Sequence, residues 1–90
     1  MLKIKLLKRA TDFLDILPAK QFKQIVSKVI GLASNPHPHD SKKLNGYDFL
    51  RTDIGEYRII YTVNNDCVEI ILIGNRNDGA VYQLLKRSQR

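Results

Sequence analysis

Three arginines and a tyrosine are the side chains of this sequence best suited to chemistry on a phosphate group. Arg51 and Arg58 stand on either side of Gly55, and Arg76 and Tyr82 follow a later apolar segment. Arginine presents a fixed fork of N–H donors that matches phosphate oxygens. A tight turn at Gly55 would bring Arg51 and Arg58 within reach of each other. The pattern therefore predicts a phosphate-binding site at one end of a sheet.

Asp53 leaves a second interpretation of these arginines open. Side chains alternate across a strand, so Asp53 shares a strand face with Arg51. The arginines could then lie over exposed sheet and pair with the acidic residues Asp53, Glu56 and Glu69. The residue types alone are compatible with both the phosphate site and the ion pairs.

The other potentially reactive groups form weaker arrangements. His37, His39 and Asp40 crowd on one proline-rich loop, with no partner cluster elsewhere, so we expect no metal site. Cys67 is the only cysteine and lies in an apolar run, which indicates a structural role. The glycines follow neither nucleotide-binding spacing. We therefore expect no cofactor.

Size and composition predict one domain. The chain has 90 residues, of which 43% are hydrophobic and 27% charged, as in ordinary globular proteins. We expect residues 1–90 to form a single domain. The longest apolar run covers residues 70–73, far short of the roughly 20 residues of a membrane span. Lys3 and Lys5 interrupt any signal-peptide core, so we expect a cytoplasmic protein without membrane contact.

The charge favours a polyanionic partner. A net charge of +6 suits nucleic acid, an acidic membrane face or an acidic protein. The basic residues that could follow a nucleic-acid backbone are Lys42, Lys43, Lys86 and Arg87. Exposed lysines also keep an ordinary surface solvated, so charge alone does not choose among these partners.

Hydrophobic periodicity predicts a strand and two helices in the first part of the chain. A two-residue period over 2–6 is typical of a half-buried strand, and helical spacing follows over 8–17. Pro18 suits the first position of a second helix that runs to about residue 33, because its missing N–H costs nothing there. Two further prolines make residues 34–40 a loop.

The second part of the chain has the composition of strands. β-branched and aromatic residues are concentrated over 47–54, 56–63 and 67–74, with turn residues between them. Residues 81–87 are a plausible terminal helix. The prediction is an α+β domain of order β-α-α-β-β-β-α, with a helical hairpin on one face of a twisted, mostly antiparallel sheet.

A series of short motifs also runs through nearly the whole chain. The motifs are Arg9-Ala10-x-x-Phe13-Leu14, Asn35-Pro36, Lys43-Leu44-x-Gly46, Leu50-Arg51-x-x-x-Gly55-Glu56-Tyr57-Arg58-Ile59-Ile60-Tyr61, Ile73-Gly74-Asn75-Arg76 and Val81-Tyr82. Together and in this order they resemble the RelE/ParE superfamily of toxin–antitoxin toxins. The β-α-α-β-β-β-α arrangement of that superfamily agrees with the one predicted from periodicity.

The resemblance implies an endoribonuclease. RelE-like members bind in the ribosomal decoding site and cut messenger RNA without a metal, using the ribose 2′-hydroxyl as nucleophile and leaving a cyclic phosphate. By motif, Arg58 would hold the scissile phosphate and Arg76 would stabilise developing charge or the leaving oxygen. Arg51 would assist from the adjoining strand, and Tyr82 would stack on a base or transfer a proton.

Asp53 departs from the RelE-like pattern, in which a second basic residue is common at this place. A carboxylate here could repel the phosphate, pair with Arg51 or Arg58, or serve as general base. ParE-like members poison DNA gyrase and need no nuclease site, so a gyrase poison is the main alternative. A degenerate basic module that binds RNA or protein is another.

The resemblance also implies partners. Such toxins are neutralised by a small antitoxin protein, which normally supplies the DNA-binding half of the pair. We therefore expect a cognate antitoxin, the ribosome and messenger RNA as partners, with DNA contact mainly through the antitoxin.

Overall fold

Two helices on one face of a five-stranded mixed sheet form the fold, as the α+β prediction states. The computed structural model describes residues 1–76, 79, 83 and 86. Its elements are β1 (Lys3–Leu6), α1 (Lys8–Asp15), α2 (Ala19–Ser34), β2 (Lys42–Lys43), β3 (Leu50–Ile54), β4 (Tyr57–Asn64) and β5 (Cys67–Asn75). The helix predicted over 81–87 lies outside the described residues, except for Gln83 and Lys86.

The strands lie in the order β1-β5-β4-β3-β2. The predicted antiparallel meander β3-β4-β5 is confirmed. β1 is parallel to β5 and pairs Lys3 with Cys67, so the first strand lies beside the last described one. Within the described residues, no helix is both long and apolar enough to cross a membrane.

The main core lies between the sheet and the helical hairpin. α1 and α2 have apolar residues at helical spacing, and this face packs on the apolar side of β4 and β5. The buried members of this core are Ala10, Leu14, Ile25, Val29, Leu32, Ile59, Tyr61, Val68, Ile70 and Ile73. The helices therefore cover one side of the sheet, and the opposite side is called the open side below.

On the opposite side, the described residues form a smaller apolar cluster. Leu44, Ile60 and Leu72 are buried there, and Tyr47 and Phe49 pack against them. Side chains alternate across a strand, so Phe49 lies on the same side of the sheet as the charged side chains of β3 described below.

The structure corrects two element boundaries and adds one strand to the prediction. The strand predicted from residue 47 begins at Leu50, because residues 45–48 turn back toward β2. The Leu44 N–H donates to the Phe49 carbonyl at 2.9 Å, and Gly46 adopts a φ of +80°, which glycine allows without strain. The two-residue strand β2 was not predicted. Pro18 is the N-cap of α2 rather than its first helical residue, with an extended ψ of 156°.

Asp40 ties the loop after α2 to the sheet. Its carboxylate accepts hydrogen bonds from the Thr52 hydroxyl at 2.7 Å, the Lys28 ammonium at 3.2 Å and the Asp53 main-chain N–H at 3.3 Å. Burial raises the pKa of Asp40, but these donors outweigh it and hold the pKa below its ordinary value. Nearby, the buried Tyr61 hydroxyl donates to the Pro36 carbonyl at 2.7 Å, so the loop is fixed at two points.

Thr52→Val tests this anchor, because valine keeps the shape of the buried Thr52 side chain and removes its donor. Thr52 is fully buried, whereas the Asp40 side chain is 45% exposed and can recover water, so we expect the free energy of unfolding to fall by about 1 kcal/mol at pH 7. A lowered folded pKa stabilises the protein above the unfolded pKa, and this stabilisation is lost as the pH falls through the folded pKa. The difference from wild type should therefore shrink below about pH 4.

Urea unfolding at pH 7 and pH 3 measures both effects. Thr11→Val is the matched control, since the Thr11 hydroxyl donates to the Lys8 carbonyl and not to a carboxylate. A Thr52→Val difference of equal size at both pH values would contradict the role assigned to Asp40.

Candidate phosphate-binding site

The turn between β3 and β4 sets the positions of the charged residues on the open side of the sheet. Gly55 has a φ of +58°, and the turn pairs Ile54 with Tyr57. Asp53 is therefore directly opposite Arg58. On the other side of Arg58 lies Gly74, which contributes no side chain to this face.

Arg58 and Asp53 form a two-pronged ion pair. The Arg58 Nε lies 2.8 Å from Asp53 Oδ1, and its Nη2 lies 3.2 Å from Oδ2. The Arg76 Nη1 lies 3.8 Å from the same Oδ2. The side chains of Arg58 and Asp53 are only 15% and 25% exposed, so water screens this pair less than a surface pair. The predicted convergence is therefore real for Arg58 and Arg76, and the group on which they converge is Asp53.

The positive surroundings keep Asp53 ionised. The hydrogen bond from Arg58 lowers the pKa of Asp53 most, and burial opposes it. The charges of Arg58, Arg51 and Arg76 lower this pKa further. Asp53 is thus a carboxylate at neutral pH, and its low pKa makes it a weak proton acceptor. Of the three roles that the sequence left open, the structure has the ion pair.

The predicted pairing with other acidic residues is not observed among the described contacts. Glu69 accepts a hydrogen bond from the Asn64 amide. Glu56 meets Arg76 through the main chain, where the Arg76 N–H donates to the Glu56 carbonyl at 3.0 Å.

Arg51 lies two residues before Asp53 on β3, and it lines a basic cleft. It pairs with Lys42 across the β2–β3 ladder, so both side chains are on one face. We call the depression of about 390 Å³ beside them the basic cleft; it is lined by Lys42, Lys43, Leu44, Asn45 and Arg51. Two of the predicted RNA-binding lysines are therefore adjacent to the arginines.

The remaining predicted site residues are at the end of the chain. Lys86 is exposed. Tyr82 and Arg87 lie outside the described residues, so their predicted roles stay predictions.

An aromatic pair beside the arginines was not predicted. The rings of Tyr47 and Phe49 are nearly parallel, with an interplanar angle of 8° and centroids 6.3 Å apart. The signal was present in the sequence, because Phe49, Arg51 and Asp53 alternate along one face. Tyr47 and Phe49 are also two residues apart, a spacing that puts both on one face of a strand, so the sequence pattern itself could have indicated the pair.

The loop histidines do not form a cation site with Asp40. His37 and His39 are exposed, and Asp40 is held by its bonds to the sheet. Across the part of the chain that the structure describes, no three histidine, cysteine or acidic side chains are grouped to hold a metal ion.

Comparisons with known proteins agree with this architecture. The profile described as the ParE toxin of type II toxin–antitoxin system, parDE, matches residues 4–79. Comparison with curated proteins gave no match. Among solved structures, an archaeal RelE in a RelE–RelB complex from Pyrococcus horikoshii OT3 is 26% identical, with a TM-score of 0.75 over 86% of this chain and 97% of that one.

Two solved structures from E. coli share the fold at lower identity. A mutant of the toxin RelE in the free state is 23% identical, with a TM-score of 0.76 over 96% of each chain. The intact RelBE toxin–antitoxin complex matches at 21% identity and a TM-score of 0.73, over 86% of this chain and 99% of that one. With the family profile covering most of its length, the chain belongs to the ParE toxins of type II toxin–antitoxin systems, within the RelE/ParE superfamily.

Proposed function

We propose that this toxin is a ribosome-dependent endoribonuclease that inhibits translation by cutting messenger RNA. The observation that carries the proposal is the grouping of three guanidinium groups around one anion. Arg58 and Arg76 contact the Asp53 carboxylate, and Arg51 acts on it through its charge. A phosphodiester carries the same charge and similarly spaced oxygens, so this group of arginines suits it.

The geometry supports different roles for the arginines. Arg58 is more buried than Arg76, with a side chain 15% exposed against 45%, and its fork of donors can bind two oxygens of the scissile phosphate. Arg76 is 45% exposed at the end of β5, where it can move to the charge that develops on the phosphate or on the leaving oxygen. Arg51 lies between the site of this phosphate and the basic cleft, and it positions the neighbouring part of the RNA backbone.

Asp53 acts in this proposal as a counter-ion that the substrate displaces. Three cations in one place repel each other, and the Asp53 carboxylate balances them while no RNA is bound. When the phosphate binds, Arg58 releases Asp53 and contacts the phosphate instead. The nearby Asp53 carboxylate repels the phosphate and therefore lowers RNA affinity. Its low pKa argues against a role as general base, which leaves Tyr82 as the proposed proton-transfer group.

The proposed inhibitor is a small antitoxin protein. Related toxins are found in RelE–RelB and RelBE complexes, which supports a protein partner of the same kind. The net charge of +6 favours an acidic antitoxin, because opposite charges speed association and make it depend on salt. By this proposal, DNA contact belongs mainly to the antitoxin.

A gyrase poison is the alternative, and two observations favour it. The matching profile is that of the ParE toxins, and the Arg58 fork is already occupied by Asp53. Such a toxin would arrest growth by breaking DNA and would leave messenger RNA intact. The first experiment below separates the two functions.

Arg58→Ala removes the proposed phosphate ligand, so we expect at least a hundredfold loss of cleavage and relief of growth arrest. The measurement is a map of messenger RNA 5′ ends after induction without the antitoxin. Wild type should give cuts inside translated frames and in phase with codons. Arg9→Ala, on the exposed surface of α1, is the matched control and should cut as wild type does. Growth arrest with uncut messages and an SOS response would identify the gyrase poison instead.

Asp53→Asn separates the counter-ion from the general base. The amide keeps the volume of the side chain and removes the charge that competes with the substrate, so we expect RNA affinity to rise several-fold and cleavage to be retained. The measurements are RNA binding and single-turnover cleavage on programmed ribosomes. A hundredfold loss of the cleavage step with binding intact would show that Asp53 is the general base.

A further inference from the structure

A line of side chains leads from the arginines to the aromatic pair. Phe49, Arg51 and Asp53 alternate on the open face of the sheet, and two residues along a strand span about 6.8 Å. Phe49 is thus two such steps from the Asp53 carboxylate and one step from Arg51. A strand of nucleic acid held at Arg58 and followed along β3 would reach Phe49 after Arg51.

The aromatic pair is fixed in place and partly open. Tyr47 and Phe49 are half-buried, and they rest on the buried cluster of Leu44, Ile60 and Leu72. Their 6.3 Å centroid distance and 8° angle are those of an offset parallel pair. Each ring also lines a depression, Tyr47 one of about 480 Å³ and Phe49 one of about 300 Å³. The rings are therefore held rigidly while part of their surface stays accessible.

Two lysines line the depressions at and beside this aromatic pair. Lys43 lines both aromatic depressions and the basic cleft, and Lys42 lines the basic cleft with Arg51. Asp48 lines the two aromatic depressions and is the acidic residue among their described walls. Cations for a sugar–phosphate backbone and aromatic faces for bases are the two components of single-strand recognition.

We propose that Tyr47 and Phe49 form a base-stacking subsite for a nucleotide of single-stranded RNA that flanks the scissile phosphate. Lys42, Lys43 and Arg51 hold the backbone of this nucleotide, while its base lies against the aromatic pair. The assignment of RNA rests on the proposed nuclease function. The stacking itself rests on the aromatic and basic residues described here.

This subsite favours unpaired nucleotides over other ligands. Every base has a face that can stack on an aromatic ring, so the subsite tolerates different sequences. In a duplex the bases are stacked on each other and are not available to Tyr47 and Phe49. An acidic peptide would satisfy the lysines but would leave the ring faces without a planar partner.

Binding of short RNA tests the subsite without requiring cleavage or a ribosome. The probe is a fluorescent single-stranded RNA of eight nucleotides whose 2′-hydroxyls are all methylated, which removes the nucleophile, and its affinity is measured by anisotropy at low salt. The base is then removed from one flanking nucleotide at a time. With wild type we expect one abasic position to lose about tenfold in affinity, the size of a base–aromatic stack.

Substitution of the rings should cancel this loss. In Phe49→Leu and in Tyr47→Leu we expect weaker binding of intact RNA and little further loss at that same abasic position, since a coupled pair is non-additive. Leucine keeps apolar contact with the cluster below, and a thermal melt checks the fold. Phe22→Leu, an exposed aromatic on α2, is the matched control and should behave as wild type.

The abasic series on wild type decides the proposal even if a variant fails to fold. Equal affinity at every abasic position, no measurable RNA binding, or an abasic loss that persists unchanged in the folded ring variants would overturn the subsite. Failure of the nuclease function appears separately, as uncut messages in the 5′-end map.

Discussion

Three guanidinium groups are stable near one point of a protein surface only beside an anion, and the Asp53 carboxylate is that anion here. The β3–β4 turn places it directly opposite Arg58, and Arg76 reaches it from the end of β5. The ionised carboxylate and the arginines support each other, since the same bonds that order the arginines lower the pKa of Asp53. The arginines are thus kept together by an internal anion, and a phosphate ligand of the proposed site would have to compete with it.

The two sides of the sheet have separate tasks. The helical hairpin buries one side in a large apolar core, which provides most of the driving force for folding. Among the described residues, the other side has a smaller cluster around Ile60 and Leu72, and charged and aromatic side chains occupy neighbouring positions. Asp40 strengthens the helix-covered side, because it bonds both to Lys28 of α2 and to Thr52 of β3, whose side chain lies on that side with Ile59. Charge can be concentrated on the open side because stability comes from the other.

Much of the fold could be predicted from the sequence, and the exceptions have physical reasons. Long periodic segments identified both helices and the meander. The β3–β4 register could not be read as surely, because a slip of one residue exchanges the two faces of a strand. The turn consists of Gly55 and Glu56, and only the register that this turn sets places Asp53 opposite Arg58. β2 is too short to show a period, and the pairing of β1 with β5 joins residues too distant for any local pattern. Asp40 lies near two histidines in the sequence, but its partners in the fold are the buried Thr52 hydroxyl and a lysine.

The parallel pairing of β1 with β5 limits how early the fold can form while the chain is being synthesised. Lys3 can pair with Cys67 only after residues 4–66 have been translated, so this contact closes a long loop. β5 is also the strand partner of β4, and it supplies Val68, Ile70 and Ile73 to the core on which α1 packs. A nascent chain that stops before Cys67 therefore lacks the strand that joins its first segment to the rest. The fold is therefore completed only after β5 has been synthesised, and shorter products lack the strand that pairs with β4 beside Arg58.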